Sequence, residues 1–167
     1  MGNTEDNLAE AFSGESQANQ RYLGFSKEAQ QRGRTMIARL FRATAAAETV
    51  HAQNHLDAME AVGETLANLE TARAGEAHEF KSMYPDFLRA AREQGHGEGE
   101  TTFDYAMQVE KIHHALYGKA IEALEGGADL PEQPIYVCRG CGNTVLGEPP
   151  EKCPVCGAPR SWFMTIE

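Results

Sequence analysis

The stretch Glu48-Thr49-Val50-His51 places a carboxylate and an imidazole three positions apart. On a helix such residues lie on one face, where both side chains can bind one metal ion. The same spacing recurs at Glu110-Lys111-Ile112-His113, inside another long periodic stretch. A third occurrence, Glu93-Gln94-Gly95-His96, runs into further glycines and cannot be helical throughout. The sequence therefore predicts two helical half-sites for metal.

Length and charge narrow the class of protein. A chain of 167 residues with 41% hydrophobic residues can bury one main core and leaves room for a small second domain. The formal charge of -10 and the pI near 5.1 disfavour nucleic acid and anionic membranes as partners. No segment is apolar enough for a membrane span, and the acidic residues 1–7 do not resemble a secretory signal. We therefore expect a cytoplasmic protein.

Apolar residues at helical spacing predict a first long helix over residues 4 to about 31 and a second over about 36 to 61. Gly33 supplies the residue that can turn between them. Because this connection is short, the two helices should be antiparallel neighbours.

The second half of the helical region follows a similar plan. A short helical connection at 65–69 precedes a third long helix, about 75–94, in which Pro85 should cause a kink or leave a carbonyl unpaired. After a glycine-rich loop at 95–100, Thr101 or Thr102 is the expected N-cap of a fourth helix, which ends near residue 124.

Residues 126–134, rich in Gly and Pro, end the helical pattern and predict a linker. We place the domain boundary near residue 130, with a helical domain at 1–130 and a small domain at 131–167. The small domain begins with a predicted strand at 135–137. So short a domain needs a metal to fold.

All four cysteines lie in this small domain, as Cys138-x-x-Cys141 and Cys153-x-x-Cys156. The paired spacing predicts a site in which four thiolates bind one metal, with a glycine after each pair to allow the turn. Spacing alone does not choose between a structural zinc ion and a redox-active iron ion.

The carboxylates of the helical region repeat in the same way. Glu15 precedes Glu48 by one helical hairpin, and Glu76 with Glu79 precedes Glu110 by a nearly equal distance. Two hairpins that each supply a carboxylate helix and a Glu-x-x-His helix have the ligand pattern of a dinuclear metal site in a four-helix bundle. Two cations would neutralise carboxylates that cannot all be ionised in a dry core.

A single glutamate on a helix is usually solvated, so the shared register of the set carries the prediction. The predicted ligands around one cavity are Glu15, Glu48, His51, Glu76, Glu79, Glu110 and His113. His55 and His114 are interpreted as core or surface residues, and His96 as solvent-exposed. His78 is left out of the ligand set because it is about one position off the Glu79 face.

Several stretches, taken together and in order, resemble the rubrerythrin family: Ala11-Phe12-Ser13-Gly14-Glu15-Ser16-Gln17-Ala18, Glu48-Thr49-Val50-His51, Ala74-Gly75-Glu76-Ala77-His78-Glu79, Met83-Tyr84-Pro85, Glu110-Lys111-Ile112-His113 and the cysteine quartet. The resemblance implies an all-α, ferritin-like four-helix bundle with two non-haem irons. It also implies a small, mostly β and loop, rubredoxin-like domain with one iron on Cys138, Cys141, Cys153 and Cys156, for which zinc is a possible substitute.

The resemblance also implies roles for single residues. Glu48 and Glu110 would bridge the irons, Glu76 and His113 would complete one iron, and Glu15 would bind the other. At that second iron, Glu79 and His51 would exchange as ligands between the oxidised and reduced states. Two tyrosines, Tyr22 and Tyr84, match residues that hydrogen-bond to ligand glutamates in the family. The pair Ala77-His78 departs from the family pattern, which has a bulky residue there.

The implied function is a peroxidase that reduces hydrogen peroxide to water and protects against oxidative stress. Electrons would come from NAD(P)H through a separate reductase or a rubredoxin, since this chain has no Gly-rich dinucleotide fingerprint. A head-to-tail homodimer would bring one subunit's tetrathiolate iron to the other's di-iron site. Two alternatives remain, an iron-oxidising, ferritin-like protein and a zinc-ribbon interaction module with an empty bundle.

Overall fold

The structure is a computed structural model that describes residues 3–167. Met1 and Gly2, the first residues of the predicted helical domain and of the acidic start, lie outside the described residues. The described chain is helical up to Glu125 and then forms a small three-stranded sheet. It divides into two compact units, the first ending at Gly63 and the second covering Glu64–Glu167. Within residues 3–167 no helix is both long and apolar enough to cross a membrane.

The first unit is a hairpin of two helices, α1 (Thr4–Gln31) and α2 (Thr35–Ala58). Gly33 has a φ of +70°, as the predicted turn requires. The Ser26 hydroxyl donates to the Ala38 carbonyl over 2.9 Å, and the Asn19 amide donates to the Ala45 carbonyl over 2.7 Å. These pairings converge toward the turn, which confirms that the helices are antiparallel.

Helix α2 ends earlier than predicted. The expected end was near residue 61, whereas the helix ends at Ala58. Glu60 has a φ of +50°, a left-handed conformation that a continuing helix does not contain. The backbone therefore leaves the helix before the apolar residues that extended the pattern.

The second unit begins with α3 (Thr65–His78), which continues through a π-helical turn (Glu79–Met83) into α4 (Tyr84–Glu93). The prediction of a separate short helix at 65–69 was wrong, because those residues form the first turns of α3. Pro85 lies in the first turn of α4, where its missing N–H costs little. The wider π-helical turn lies directly before Pro85, where the sequence predicts a kink or an unpaired carbonyl.

Helix α5 (Gly97–Glu125) begins four residues before the predicted caps. Gly95 turns the chain with a φ of +66°, and the His96 imidazole accepts a bond from the Gly99 N–H over 3.0 Å. A histidine side chain therefore caps the helix, and the prediction that Thr101 or Thr102 does so was wrong. The Thr101 hydroxyl instead donates to the Gly97 carbonyl inside the helix.

The chain ends in an antiparallel sheet with strand order β2-β1-β3. Its strands are β1 (Ile135–Cys138), β2 (Thr144–Leu146) and β3 (Phe163–Ile166). Strand β1 contains the predicted strand 135–137. The small core of the sheet consists of Cys138, Cys153 and Phe163, against which Tyr136 and Val145 pack. Two of its three buried residues are cysteines, so this core depends on what the cysteines bind.

Candidate metal centres

The first unit gathers one of the predicted half-sites. Glu15 on α1 and Glu48 and His51 on α2 place one ligand atom each within 4.8 Å of one another. His51 Nδ1 lies 2.9 Å from Glu48 Oε2 and 3.8 Å from Glu15 Oε1. Glu48 and Glu15 are partly buried, whereas 53% of the His51 side chain is exposed. Helical spacing pairs Glu48 with His51 on α2, and the packing of α1 against α2 brings Glu15 to them.

The second unit repeats this construction. Glu76 on α3 and Glu110 and His113 on α5 form an equally tight triad. His113 Nδ1 lies 2.9 Å from Glu110 Oε2 and 3.7 Å from Glu76 Oε1. All three side chains are mostly buried, with 26% of His113 exposed. Two carboxylates and one imidazole form a donor set that suits iron and other first-row divalent metals.

The electrostatics of the second triad fit a cation. Burial, together with a hydrogen bond and the charge of Glu110, raises the pKa of Glu76 from 4.5 to about 7. Burial also raises the pKa of Glu110. Two carboxylates in this position are costly to ionise together, and a bound metal ion removes that cost.

When the carboxylate triads hold no metal, this cost predicts that the stability of the folded protein depends on pH. The raised pKa of Glu76 gives stability that is fully present below its ordinary value of 4.5 and is lost as the pH rises through about 7. We expect the free energy of unfolding to fall by on the order of 2 kcal/mol across this window. Urea denaturation at pH 5 and pH 8, with zinc on the cysteines only, measures it.

Glu76→Gln is the matched variant, because a neutral amide removes the ionisation and should remove this part of the pH dependence. Filling the triads with metal should remove it as well, since the cation compensates the ionised pair. An equal loss of stability in Glu76→Gln and the unsubstituted chain would contradict the assignment.

The remaining predicted residues of the helical region lie outside the two triads. Glu79 is the first residue of the π-helical turn, and its charge contributes to raising the pKa of Glu110. Burial and the charges of Glu79, Glu110 and Glu76 raise the pKa of Tyr84. Tyr84 therefore lies close to the second triad. Tyr22 packs against Phe25 and Phe41 with ring centroids 6.2 and 6.3 Å away. Hydrogen bonds from these tyrosines to ligand glutamates stay predictions.

The histidines excluded by the sequence belong to neither triad. His96 caps α5, and His114 meets the Phe80 ring edge-on at 5.5 Å. His78 and His55 lie in the last turns of α3 and α2.

The four cysteine sulfurs form the third cluster. Cys138 and Cys156 Sγ are 3.7 Å apart, and Cys141 and Cys153 Sγ are 3.6 Å apart. A disulfide needs about 2.05 Å, whereas the edge of a metal tetrathiolate tetrahedron is about 3.8 Å for metal–sulfur bonds of about 2.3 Å. The thiols are free and spaced for one metal ion.

One of the four sulfurs is stabilised as a thiolate. Burial raises the pKa of Cys153, but N–H groups of Cys156 and Val155, together with hydrogen bonds from the Cys141 and Cys156 thiols, outweigh it and lower this pKa to about 7. Burial raises the pKa of Cys141 and of Cys156. The buried Asn143 amide also lies 3.6 Å from the Cys153 sulfur. The predicted knuckle glycines, Gly142 and Gly157, have φ values of +86° and +73°. The knuckles therefore turn as the sequence predicts.

One contact near these clusters was not predicted. His113 Nε2 lies 3.0 Å from the Thr144 hydroxyl oxygen in β2. The two residues are 31 positions apart, and neither helical nor strand periodicity relates them. Only the fold brings them together.

Two carboxylate and histidine triads on paired helices, followed by a four-cysteine domain, define a class of non-haem iron proteins. The family model described as Rubrerythrin matches residues 6–121, and the one described as Rubrerythrin, rubredoxin-like domain, matches residues 136–164. The chain belongs to the rubrerythrin family.

Individual relatives agree with this assignment. The chain is 38% identical to Rubrerythrin-2 of Clostridium acetobutylicum, over 98% of this chain and 96% of that protein. It is 36% identical to the rubrerythrin of Nitratidesulfovibrio vulgaris, over 96% and 92% of the two chains. The solved structure of nigerythrin in its fully reduced, all-ferrous state has a TM-score of 0.58 and 31% identity, covering 99% of this chain and 88% of that one.

The comparisons confirm the ferritin-like class with a rubredoxin-like domain. They also confirm the predicted cofactors, a di-iron centre and one iron on four cysteines, which the donor sets described above fit. Membership in this family indicates an oxidoreductase of oxidative stress protection.

Proposed function

We propose that this protein is a non-haem di-iron peroxidase that reduces hydrogen peroxide to water. The observation that carries the proposal is the presence of two matching Glu, Glu and His triads and a four-thiolate cluster in one chain. A site that only stores or oxidises iron has no evident use for the four-thiolate cluster. Family membership supports the same class of reaction.

The proposed ligands of the iron pair are the six residues of the two triads together with Glu79. Glu48 and Glu110 are the proposed bridges, as the resemblance to the rubrerythrin family implies; each lies 2.9 Å from the histidine of its own triad. When bound in the reduced state, such an iron pair supplies two electrons for cleavage of the O–O bond of peroxide.

The protein residues have four proposed tasks. The carboxylates neutralise the positive charge, and the imidazoles complete the ligand sets. His51 Nδ1 lies 2.9 Å from Glu48 Oε2, but 53% of the side chain is exposed, which suits the proposed exchange with Glu79 between the oxidised and reduced states. Iron(III) prefers the anionic oxygen, and iron(II) accepts the neutral nitrogen. Tyr84, near Glu79 and Glu110, is proposed to hydrogen-bond to a ligand glutamate, and Tyr22 is its proposed counterpart on α1.

We propose that electrons reach the iron pair from the tetrathiolate iron, supplied by a separate NAD(P)H-dependent reductase or a rubredoxin in the cytoplasm. A head-to-tail homodimer is the proposed assembly, and 1–130 and 131–167 are the proposed domains. Within one chain, however, the bond from His113 to Thr144 already joins the second triad to the cysteine domain.

The test is anaerobic reduction of the iron-loaded protein followed by hydrogen peroxide, with absorbance followed in a stopped-flow instrument. We expect the reduced iron sites to be oxidised much faster by peroxide than by an equal concentration of oxygen. Metal analysis should give about three irons per chain, two in the carboxylate site and one on the cysteines.

Equal rates with oxygen and peroxide would indicate an oxidase instead. A closed shell of many subunits in light scattering would favour the iron-oxidising, ferritin-like alternative. Zinc on the cysteines with no iron at the carboxylates in protein from its native host would favour the zinc-ribbon module.

A further inference from the structure

Thr144 joins the two metal-binding clusters of the second unit. Its hydroxyl oxygen lies 3.0 Å from His113 Nε2 and 3.2 Å from the Gly142 carbonyl oxygen. Gly142 directly follows Cys141 in the first cysteine knuckle, and its N–H donates to the Cys138 carbonyl over 2.8 Å. Two hydrogen bonds therefore connect the imidazole of the second triad to the turn that presents two of the four sulfurs.

We propose that Thr144 is a positioning residue for His113. Its hydroxyl holds the imidazole in the tautomer and orientation that direct an unprotonated Nδ1 toward Glu76 and Glu110. The proposal rests on the proposed role of His113 as a metal ligand, and it adds a residue from the cysteine domain to the construction of the carboxylate site.

The position of each proton follows from the Gly142 carbonyl, the last acceptor in this series of hydrogen bonds. A hydroxyl has one proton to donate. The Gly142 carbonyl only accepts, so when Thr144 donates to it, the Thr144 oxygen accepts from His113 Nε2–H. The proton of the neutral imidazole is then on Nε2, and the Nδ1 lone pair faces the two carboxylates, as metal binding requires.

The opposite arrangement shows why the carbonyl matters. If Thr144 donated to Nε2, the neutral ring would carry its proton on Nδ1, 2.9 Å from Glu110 Oε2. That arrangement satisfies Glu110 but blocks Nδ1 for a metal. The Gly142 carbonyl competes for the same hydroxyl proton and favours the tautomer that can bind.

The surroundings make the hydroxyl hard to replace. His113 and Thr144 line a cavity of about 370 Å³ whose other walls are mainly apolar, among them Leu69, Leu116 and Leu146. Without the hydroxyl, the Nε2–H group would lose its hydrogen-bond partner beside these apolar side chains. A valine keeps the shape of threonine and suits a β-strand, so it removes the bond without enlarging the cavity.

The test compares Thr144→Val with Thr144→Ser, which restores the hydroxyl, and with Thr165→Val, the same replacement in β3. Zinc fills all sites, because it is diamagnetic. We expect Thr144→Val to weaken metal binding at the carboxylate and histidine site about 10- to 100-fold in chelator competition. The exchange-protected His113 Nε2–H signal in nitrogen-15 NMR spectra should disappear. Thr144→Ser should keep both properties close to those of the unsubstituted protein, and Thr165→Val should change neither.

Thr144→Val with unchanged affinity and an unchanged Nε2–H signal would overturn the proposal. So would a loss that Thr144→Ser shares, because the loss would then follow from packing. Retention of metal on the cysteines, seen by cobalt substitution and its thiolate absorption, shows that the small domain is folded in each variant.

His113→Ala separates this proposal from the proposed function. If His113→Ala binds metal normally, the ligand set itself is wrong. If His113→Ala loses metal at this site while Thr144→Val behaves like the unsubstituted protein, only the role of Thr144 is wrong.

Discussion

Replacing Glu110 with alanine is expected to abolish binding of the iron pair and, with it, peroxide reduction. Glu110 Oε2 lies 2.9 Å from His113 Nδ1, and the side chain is hydrogen-bonded to Glu76. The carboxylate therefore touches both other members of its triad. Its proposed bridging role means that no remaining ligand takes its place. We expect iron to fall from about three to about one per chain, and peroxide turnover to fall by at least about 1,000-fold, consistent with loss of the catalytic metal.

Metal analysis and stopped-flow absorbance after anaerobic reduction measure the two effects. Glu122→Ala is the matched control, because Glu122 lies on the same helix α5, is exposed and belongs to neither triad. It should keep the iron and the rate. Retained turnover in Glu110→Ala would show that the proposed ligand set is wrong, whereas loss in both variants would indicate damage to α5.

The long helices and the grouping of ligands within each hairpin could be predicted because both follow from periodic sequence. The i to i+3 spacing fixes which face of a helix a residue occupies, so Glu48 with His51 and Glu110 with His113 come together whenever the helix forms. Cys-x-x-Cys pairs are equally local, since each knuckle is one tight turn. These features need no knowledge of the tertiary fold.

The sequence-based prediction was wrong or incomplete at residues that are compatible with more than one local conformation. Pro85 excludes a regular helix bond, but the chain accommodates it with a π-helical turn, which proline alone does not specify. His96 replaces the expected threonine caps because a histidine nitrogen can also accept from a helix N–H. Residues 65–69 continue into α3 because no breaker separates them from the helix that follows.

The contact between His113 and Thr144 could not be predicted at all. It depends on how β2 packs against α5 in the second unit, and tertiary packing of this kind has no periodic signal. The sequence therefore specified the ligands of each triad better than the groups that orient them. The joining of both triads into one di-iron centre stays a prediction, tested by the iron stoichiometry of Glu110→Ala.

Replacing Cys153 with serine is expected to remove the metal from the cysteine site and to unfold the small sheet. Cys153 is 3% exposed and, with Cys138 and Phe163, forms the buried core of that sheet. A serine hydroxyl is a poor ligand for a thiolate site, and metal binding supplies on the order of 10 kcal/mol to the folding of comparable small domains. Apolar packing among so few residues does not compensate for that loss.

The functional effect should be selective. The carboxylate triads contain no cysteine, so Cys153→Ser should keep about two irons per chain when iron is in excess. Because unfolding of β2 also removes the Thr144 contact, the affinity of the carboxylate site should fall as it does in Thr144→Val. Peroxide should still oxidise the chemically reduced protein at close to the normal rate, while turnover driven by NAD(P)H and a reductase should fall by at least about 100-fold, the size expected when a metal site is lost. Ser161→Ala, an exposed replacement next to Trp162, is the control and should leave both rates unchanged.

If reductase-driven turnover survived in Cys153→Ser, electrons would enter the iron pair directly, and the proposed task of the cysteine domain would be wrong. If both rates fell, the cysteine domain would instead be required for the carboxylate site, which is the structural connection that the bond from Thr144 to His113 provides.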